Sequence, residues 1–262
     1  LLPYHIPSHN RVFQKYIDGL HGRGHELIVA SSFPPPRKLQ NYTFIDISSV
    51  IPNYSDSIAP HNRTSSLYWH LSFMLHFESA HCHSILSHPD LRKLYTSEKK
   101  AFDAIIMQSY YIHCYLPLGV IKKVPIVWFL APSRMFAADL AIGNVQNPSY
   151  VPSLLRTFEF PPSTSASFLN RLWNFNYYIF TYLYHYFYFS PRTRSICEAY
   201  FGQWEISCDV NELFNNVSLL LTYSHSTLHP RPSVPNHVQV GGLHIEPAKP
   251  LPQVSEKTYR VY

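Results

Sequence analysis

Short apolar runs of strand length alternate along this chain with stretches of helical spacing, and that alternation constrains the fold more than any other feature. Leu27–Ser31, Tyr42–Ile47, Phe102–Met107, Pro125–Phe129, Val217–Thr222 and His237–Gly241 read as strands. Residues 10–23, 65–88, 110–121, 165–187 and 191–201 read as helices, with Gly22 and Gly24 closing the first. Pro34-Pro35-Pro36 breaks the chain after the strand at Leu27–Ser31. The opening Leu1-Leu2 reads as the end of a first, truncated strand. Strands and helices in alternation predict a Rossmann-like α/β domain, a parallel sheet with flanking helices. At 262 residues and 16% aromatic content the chain has material for one large core.

The charge pattern excludes one broad class. Net charge is +5, but the Lys and Arg are scattered, without the run or stripe that tracks a phosphate backbone, so nucleic acid is not an expected partner. Only 8 glycines are present, and neither a P-loop nor a Gly-rich dinucleotide fingerprint occurs.

The four cysteines allow alternative pairings. Cys82 and Cys114 sit in apolar stretches and are expected as buried free thiols. Cys197 and Cys208, in a more polar stretch, can bridge in an oxidising compartment. Asn41, Asn53, Asn62 and Asn216 each open an Asn-X-Ser/Thr sequon, a second pointer to such a compartment.

Two stretches invite sharper readings. His76, His81, Cys82, His83 and His88 carry zinc-ligand chemistry, but adjacent residues on a helix point about 100° apart and cannot converge on one ion. Packed or solvated helix residues are expected there, and no metal. Phe168–Phe189 has the length of a membrane span. Its Asn170, Arg171, Asn174, Asn176 and His185 would be costly in hydrocarbon. A helix packed into the core is expected, with an interfacial aromatic helix as the alternative.

Three blocks, in order, resemble the N-terminal half of the animal UDP-glycosyltransferases, the UDP-glucuronosyltransferase family. They are Pro3-Tyr4-His5-Ile6-Pro7-Ser8-His9 with Gly22-Arg23-Gly24-His25-Glu26, the stretch from Ile142 to Pro152 that holds Asn147-Pro148-Ser149-Tyr150, and residues 211–244, from the strand at Val217 through Ser224-His225-Ser226 to Gly241-Gly242. The likeness runs to about Pro252. It implies that residues 1–246 form the acceptor-binding N-terminal domain of a GT-B fold, and that 247–262 begin a linker and an off-pattern tail. The UDP-sugar domain and C-terminal membrane anchor of the family are not found in this sequence, and both ends read as cut.

The resemblance also assigns chemistry. It implies inverting transfer of a hexosyl or glucuronosyl group from a UDP-sugar to a small lipophilic acceptor, in the lumen of the endoplasmic reticulum. Homo- or hetero-oligomers with relatives are possible partners, and the UDP-sugar is expected to bind the other domain. His9 corresponds to the general base, in the loop after the first strand. Histidine suits the task because its ordinary pKa lies near working pH. The family's acidic partner of that base falls at Gln108. An amide can accept the ring N–H bond but brings no charge to stabilise the imidazolium. In serine proteases the analogous change costs about 10⁴ in turnover. A second departure is Ile6-Pro7, where relatives often carry Gly; Pro fixes φ and removes a donor. A chain lacking the donor half is not expected to turn over alone. The alternative is a non-catalytic half-enzyme that binds lipophiles or modulates a partner, or the product of a decaying gene copy.

Overall fold

The computed structural model describes residues 1–2, 7–35, 38–51, 78–97, 102–108, 113–131, 135–144, 146–153, 167–227, 231–248 and 250. Its strands are β1 (Leu27–Ser31), β2 (Tyr42–Asp46), β3 (Ile105–Gln108), β4 (Ile126–Leu130), β5 (Val217–Thr222) and β6 (His237–Gln239). β1 pairs with β2, and β3-β4-β5-β6 run side by side, all parallel. Leu1–Leu2 stitches the two groups together. The Leu1 carbonyl accepts from Ala30 N (3.0 Å), Leu2 N donates to the Ile106 carbonyl (2.9 Å), and Gln108 N donates to the Leu2 carbonyl (2.8 Å). Strand order is therefore β2-β1-(Leu1–Leu2)-β3-β4-β5-β6, and it reverses at the chain's first residues. Open parallel sheets gather ligands at such a reversal, beyond the carboxyl ends of the strands.

The central strands β3 and β4 are covered on both faces, which is why they read as near-continuous apolar runs. Side chains alternate between two cores. Ile105, Met107, Ile126, Trp128 and Leu130 join the larger one, whereas Ile106 and Phe129 join Phe13 and Ile17 of α1 (Pro7–His21) in the smaller. Phe13 meets Phe129 edge-on at 5.3 Å. The larger core is closed by α2 (78–86), α3 (Pro89–Thr96), α4 (Leu116–Lys122), α5 (Phe136–Ala141), α7 (Ser190–Phe201) and α8 (Val210–Phe214). At its centre the Glu78 carboxylate accepts from the His113 main-chain N–H (3.0 Å), contacts the His113 ring (3.0 Å) and accepts from the Thr193 hydroxyl (3.1 Å).

Several expectations are corrected. Cys82 and Cys114 are not free thiols: they bridge, as do Cys197 and Cys208. Residue 82 on α2 and residue 114 ahead of α4 are brought together by packing that sequence spacing does not reveal. The helix expected over 10–23 begins at Pro7, because proline's fixed φ suits a first turn whose N–H groups need no helical partner. The helix expected from residue 110 begins at Leu116, and 109–112 lie outside the described residues, as do 65–77 of the expected long helix. The helices expected over 165–187 and 191–201 are one continuous rod, α6 (Phe168–Tyr184) running through a π turn (His185–Phe189) into α7. Pro191 cannot donate in the ladder, and the wider turn just before it accommodates the missing bond.

That rod also departs from the expected core packing. The described residues include no helix long and apolar enough to cross a membrane, yet α6 turns most of its large apolar side chains to solvent. Its inward face carries buried Asn174 and Tyr184 and leads into buried His185 and Phe189.

Candidate active site

His9 lies in the first turn of α1, not in the loop expected for it, just beyond the carboxyl end of Leu1–Leu2. It is half-buried, and burial draws its pKa down to about 4. The imidazole is therefore neutral at neutral pH and can take up a proton. Gln108 ends β3, the neighbouring strand, and is 2% exposed. Its side-chain amide Nε2 donates to the main-chain carbonyl of His9 across a long 3.4 Å. The two residues singled out from sequence do meet at the strand-order reversal. Their described contact differs from the expected one, because Gln108 acts as donor toward the backbone of His9. Ile6 lies outside the described residues, and Pro7, expected to disturb a loop, opens the helix instead.

The other two sequence blocks hold each other. Asn147 accepts from Ser149 N (3.0 Å) and from the Ser149 hydroxyl (2.6 Å), forming a tight turn. Asn144 Nδ2 donates to buried Asp139 (3.0 Å) and to the Pro232 carbonyl (3.4 Å), and Arg231 donates to the Pro152 carbonyl (2.8 Å). The Pro-punctuated loop after β5 is thus tied to the 142–152 block. Ser224-His225-Ser226 makes turn contacts, as its position after a strand leads one to expect. His225 Nδ1 meets Thr227 Oγ1 at 2.7 Å, and the Ser224 carbonyl accepts from Gly241 N at 3.1 Å. A side chain at Gly241 would place Cβ 2.6 Å from that carbonyl, so this close approach requires glycine. Sequence reasoning missed His237, whose Nε2 reaches the buried Thr222 hydroxyl at 2.8 Å; no residue pattern marks that pairing.

The remaining candidates are placed as follows. His81 Nε2 contacts the Tyr115 hydroxyl (3.1 Å), and His83 Nδ1 contacts that of Tyr200 (3.0 Å); Cys82 is bridged, and His76 lies outside the described residues. Asn41 is exposed, at positive φ in the turn before β2. Asn216 is half-buried, its amide donating to the Leu213 carbonyl (3.2 Å). Asn53 and Asn62 lie outside the described residues. A cavity of about 370 Å³ lined by Leu1, His25, Leu27, Leu94 and Phe102 sits at the opposite, amino edge of the strands and does not include His9.

The family model for "UDP-glucoronosyl and UDP-glucosyl transferase" matches residues 38–261, most of the chain. The chain belongs to that family. UDP-glucosyltransferase 2 of Dactylopius coccus is 27% identical over 264 residues, covering 98% of this chain and 49% of that protein. UDP-glucuronosyltransferase 1A8 of Rattus norvegicus is 27% identical, covering 93% of this chain and 47% of its own length. Among solved structures, a UDP-glucosyltransferase from Polygonum tinctorium covers 97% of this chain and 55% of that one, at 13% identity and a TM-score of 0.46. The chain spans about half the length of the curated relatives it matches, the N-terminal half.

Proposed function

We propose that this chain is the acceptor-binding half of an inverting UDP-glycosyltransferase, acting with a UDP-sugar-binding half on a small lipophilic alcohol or phenol. His9 takes the proton of the acceptor hydroxyl as its oxygen attacks the anomeric carbon, and UDP departs from the opposite face, inverting that carbon. The observation that carries this reading is the place of His9. It is a neutral, half-buried imidazole on the first turn of α1, at the reversal of strand order. The pairing of Lys15 with Glu246 and the contact of the Tyr223 hydroxyl with His244 support a domain that reaches residue 246. The two disulfides and the exposed sequon at Asn41 support an oxidising, lumenal setting.

Gln108 favours a second reading, a half-enzyme that binds lipophiles without turning them over. Its amide brings no charge to the base, and its described bond is to the His9 backbone. One experiment separates the two. The chain is fused to the donor half of the Dactylopius coccus relative and assayed with a UDP-sugar and a panel of phenols, beside a His9→Ala fusion. Turnover that falls about 10²–10⁴-fold in the variant supports His9 as base. Equal turnover in both removes His9 from the mechanism. A folded fusion that binds phenols without turnover supports the second reading.

A further inference from the structure

A hydrogen-bonded chain of side chains runs along the β5–β6 side of the sheet and ends just past the last residue of β5. Exposed Ser233, in the loop before β6, meets His237 Nδ1. His237 Nε2 meets the Thr222 hydroxyl (2.8 Å), and that hydroxyl meets the Ser224 hydroxyl (2.9 Å). His237 is 9% exposed and Thr222 is fully buried, so the middle of the chain is dry. An imidazole there costs desolvation that an apolar side chain packed on β5 would avoid. Fastening β6 to β5 does not need it, because the main-chain ladder already joins them. Ser224, two residues past the end of β5, is only half-buried. Its backbone is fixed from both sides. Tyr223 N donates to the Leu130 carbonyl (2.8 Å), Val240 N to the Thr222 carbonyl (2.8 Å) and Gly241 N to the Ser224 carbonyl (3.1 Å). A hydroxyl is thus held in place at the carboxyl edge of a parallel sheet, the edge where ligands gather.

Building on the function proposed above, we propose that Ser224 donates to an oxygen of the UDP-sugar's diphosphate. His237, acting through Thr222, is the positioning residue that turns the Ser224 proton outward. The Thr222 hydroxyl has one proton and two partners, so it donates to one and accepts from the other. With the ring proton on Nε2, His237 donates to Thr222, Thr222 donates to Ser224, and the Ser224 proton is left for the ligand. The opposite tautomer reverses every bond and leaves Ser224 a bare acceptor, which disfavours an anion. Ser233 suits both arrangements, since its hydroxyl donates or accepts. An anion at the edge therefore selects the first. The position fits as well. His9 lies beyond Leu1–Leu2 and Ser224 beyond β5, three strand spacings or roughly 14 Å apart across the sheet. In-line attack puts the leaving diphosphate on the far side of the anomeric carbon from His9. Acceptor oxygen, carbon and diphosphate laid in line fill such a span. A hydroxyl whose direction is already fixed stabilises the charge that builds on the leaving group without reorganising.

The test uses the fusion to a donor half and measures binding, which does not require turnover. Calorimetry gives the Kd of UDP and of uridine for the parent, Ser224→Ala, Ser224→Thr and His237→Gln, with circular dichroism as the check on folding. Ser224→Ala should weaken UDP about tenfold or more, the loss expected of one hydrogen bond to a charged group. Ser224→Thr should recover most of it. Uridine, which lacks the diphosphate, should bind every form alike. His237→Gln should weaken UDP by a smaller factor. Nitrogen NMR of labelled histidine should show UDP shifting the ring proton of His237 toward Nε2 in the parent, a change lost in Ser224→Ala. Equal UDP affinity in the parent and Ser224→Ala overturns the site, as does an equal loss for uridine. Ring signals of His237 that ignore UDP overturn its positioning role. A fusion that binds no UDP in any form overturns the partnership of the two halves, and this site falls with it.

Discussion

Gln108 gives its side-chain amide to the main-chain carbonyl of His9, so it holds the backbone of the helix turn that carries the proposed base. Glutamate cannot repeat that bond in its ionised form, and at 2% exposure its charge would be buried. Gln108→Glu should therefore act in two directions. A carboxylate beside the imidazole should raise the His9 pKa from about 4. Loss of the donor and burial of the charge should cost about 1–3 kcal/mol of stability. NMR titration of His9 and urea midpoints at neutral pH read both effects. An unmoved His9 pKa would show that residue 108 does not face the His9 imidazole.

Acid should weaken the fold through two histidines. Burial lowers the pKa of His9 to about 4, and burial together with His113 lowers that of His185 to about 3. Both folded values lie below the unfolded value near 6.5. Above that value neither state binds a proton at these sites, and their full stability is present. As pH falls from 6.5 toward 4, the unfolded chain binds protons first, so stability is lost. His185→Phe, whose ring can keep the stacking on Phe214, should flatten the decline in urea midpoint between pH 6.5 and 5. An unchanged slope would mean that His185 is not held neutral by the fold.

How much of this was legible beforehand follows from where the physical signal lies. Residues 217–222 were readable as β5 because its buried second half, Leu220-Leu221-Thr222, follows Leu219 in a short apolar run of strand length. Helices α3, α5 and α8 span only 8, 6 and 5 residues, too few turns for a periodic pattern to stand out. The rod at Phe168 misleads for a different reason: apolar spacing marks one face of a helix but does not say whether that face points to protein. The nearness of His9 to Gln108 was readable from the family resemblance and the end of a strand. The direction of their bond depends on side-chain torsions, which spacing does not encode. The bridge from Cys82 to Cys114 likewise depends on how α2 packs beside the start of α4.

That bridge should carry measurable stability. It closes a loop with a sequence separation of 32 residues, for which restriction of the unfolded chain is worth about 2–4 kcal/mol. Cys82→Ala/Cys114→Ala should lower the urea midpoint accordingly. The oxidised parent should release no thiol to a titrant in denaturant. Reactive thiols at residues 82 and 114 in protein recovered from an oxidising compartment would contradict the pairing.

Asn174 offers the most direct check on how α6 is held to the domain. It is 3% exposed and makes three bonds to the 148–153 backbone. Those bonds hold α6 against the same block that Arg231 ties to the Pro-rich loop. Asn174→Leu keeps the volume but leaves two carbonyls and one N–H without this partner, each buried polar group costing about 1–3 kcal/mol when unmatched. The variant should lose several kcal/mol at most, with faster amide exchange at Ser153 and along the first turns of α6. Unchanged exchange at Ser153 would mean that α6 is held by its aromatic contacts with Phe136, and that the polar anchor is dispensable.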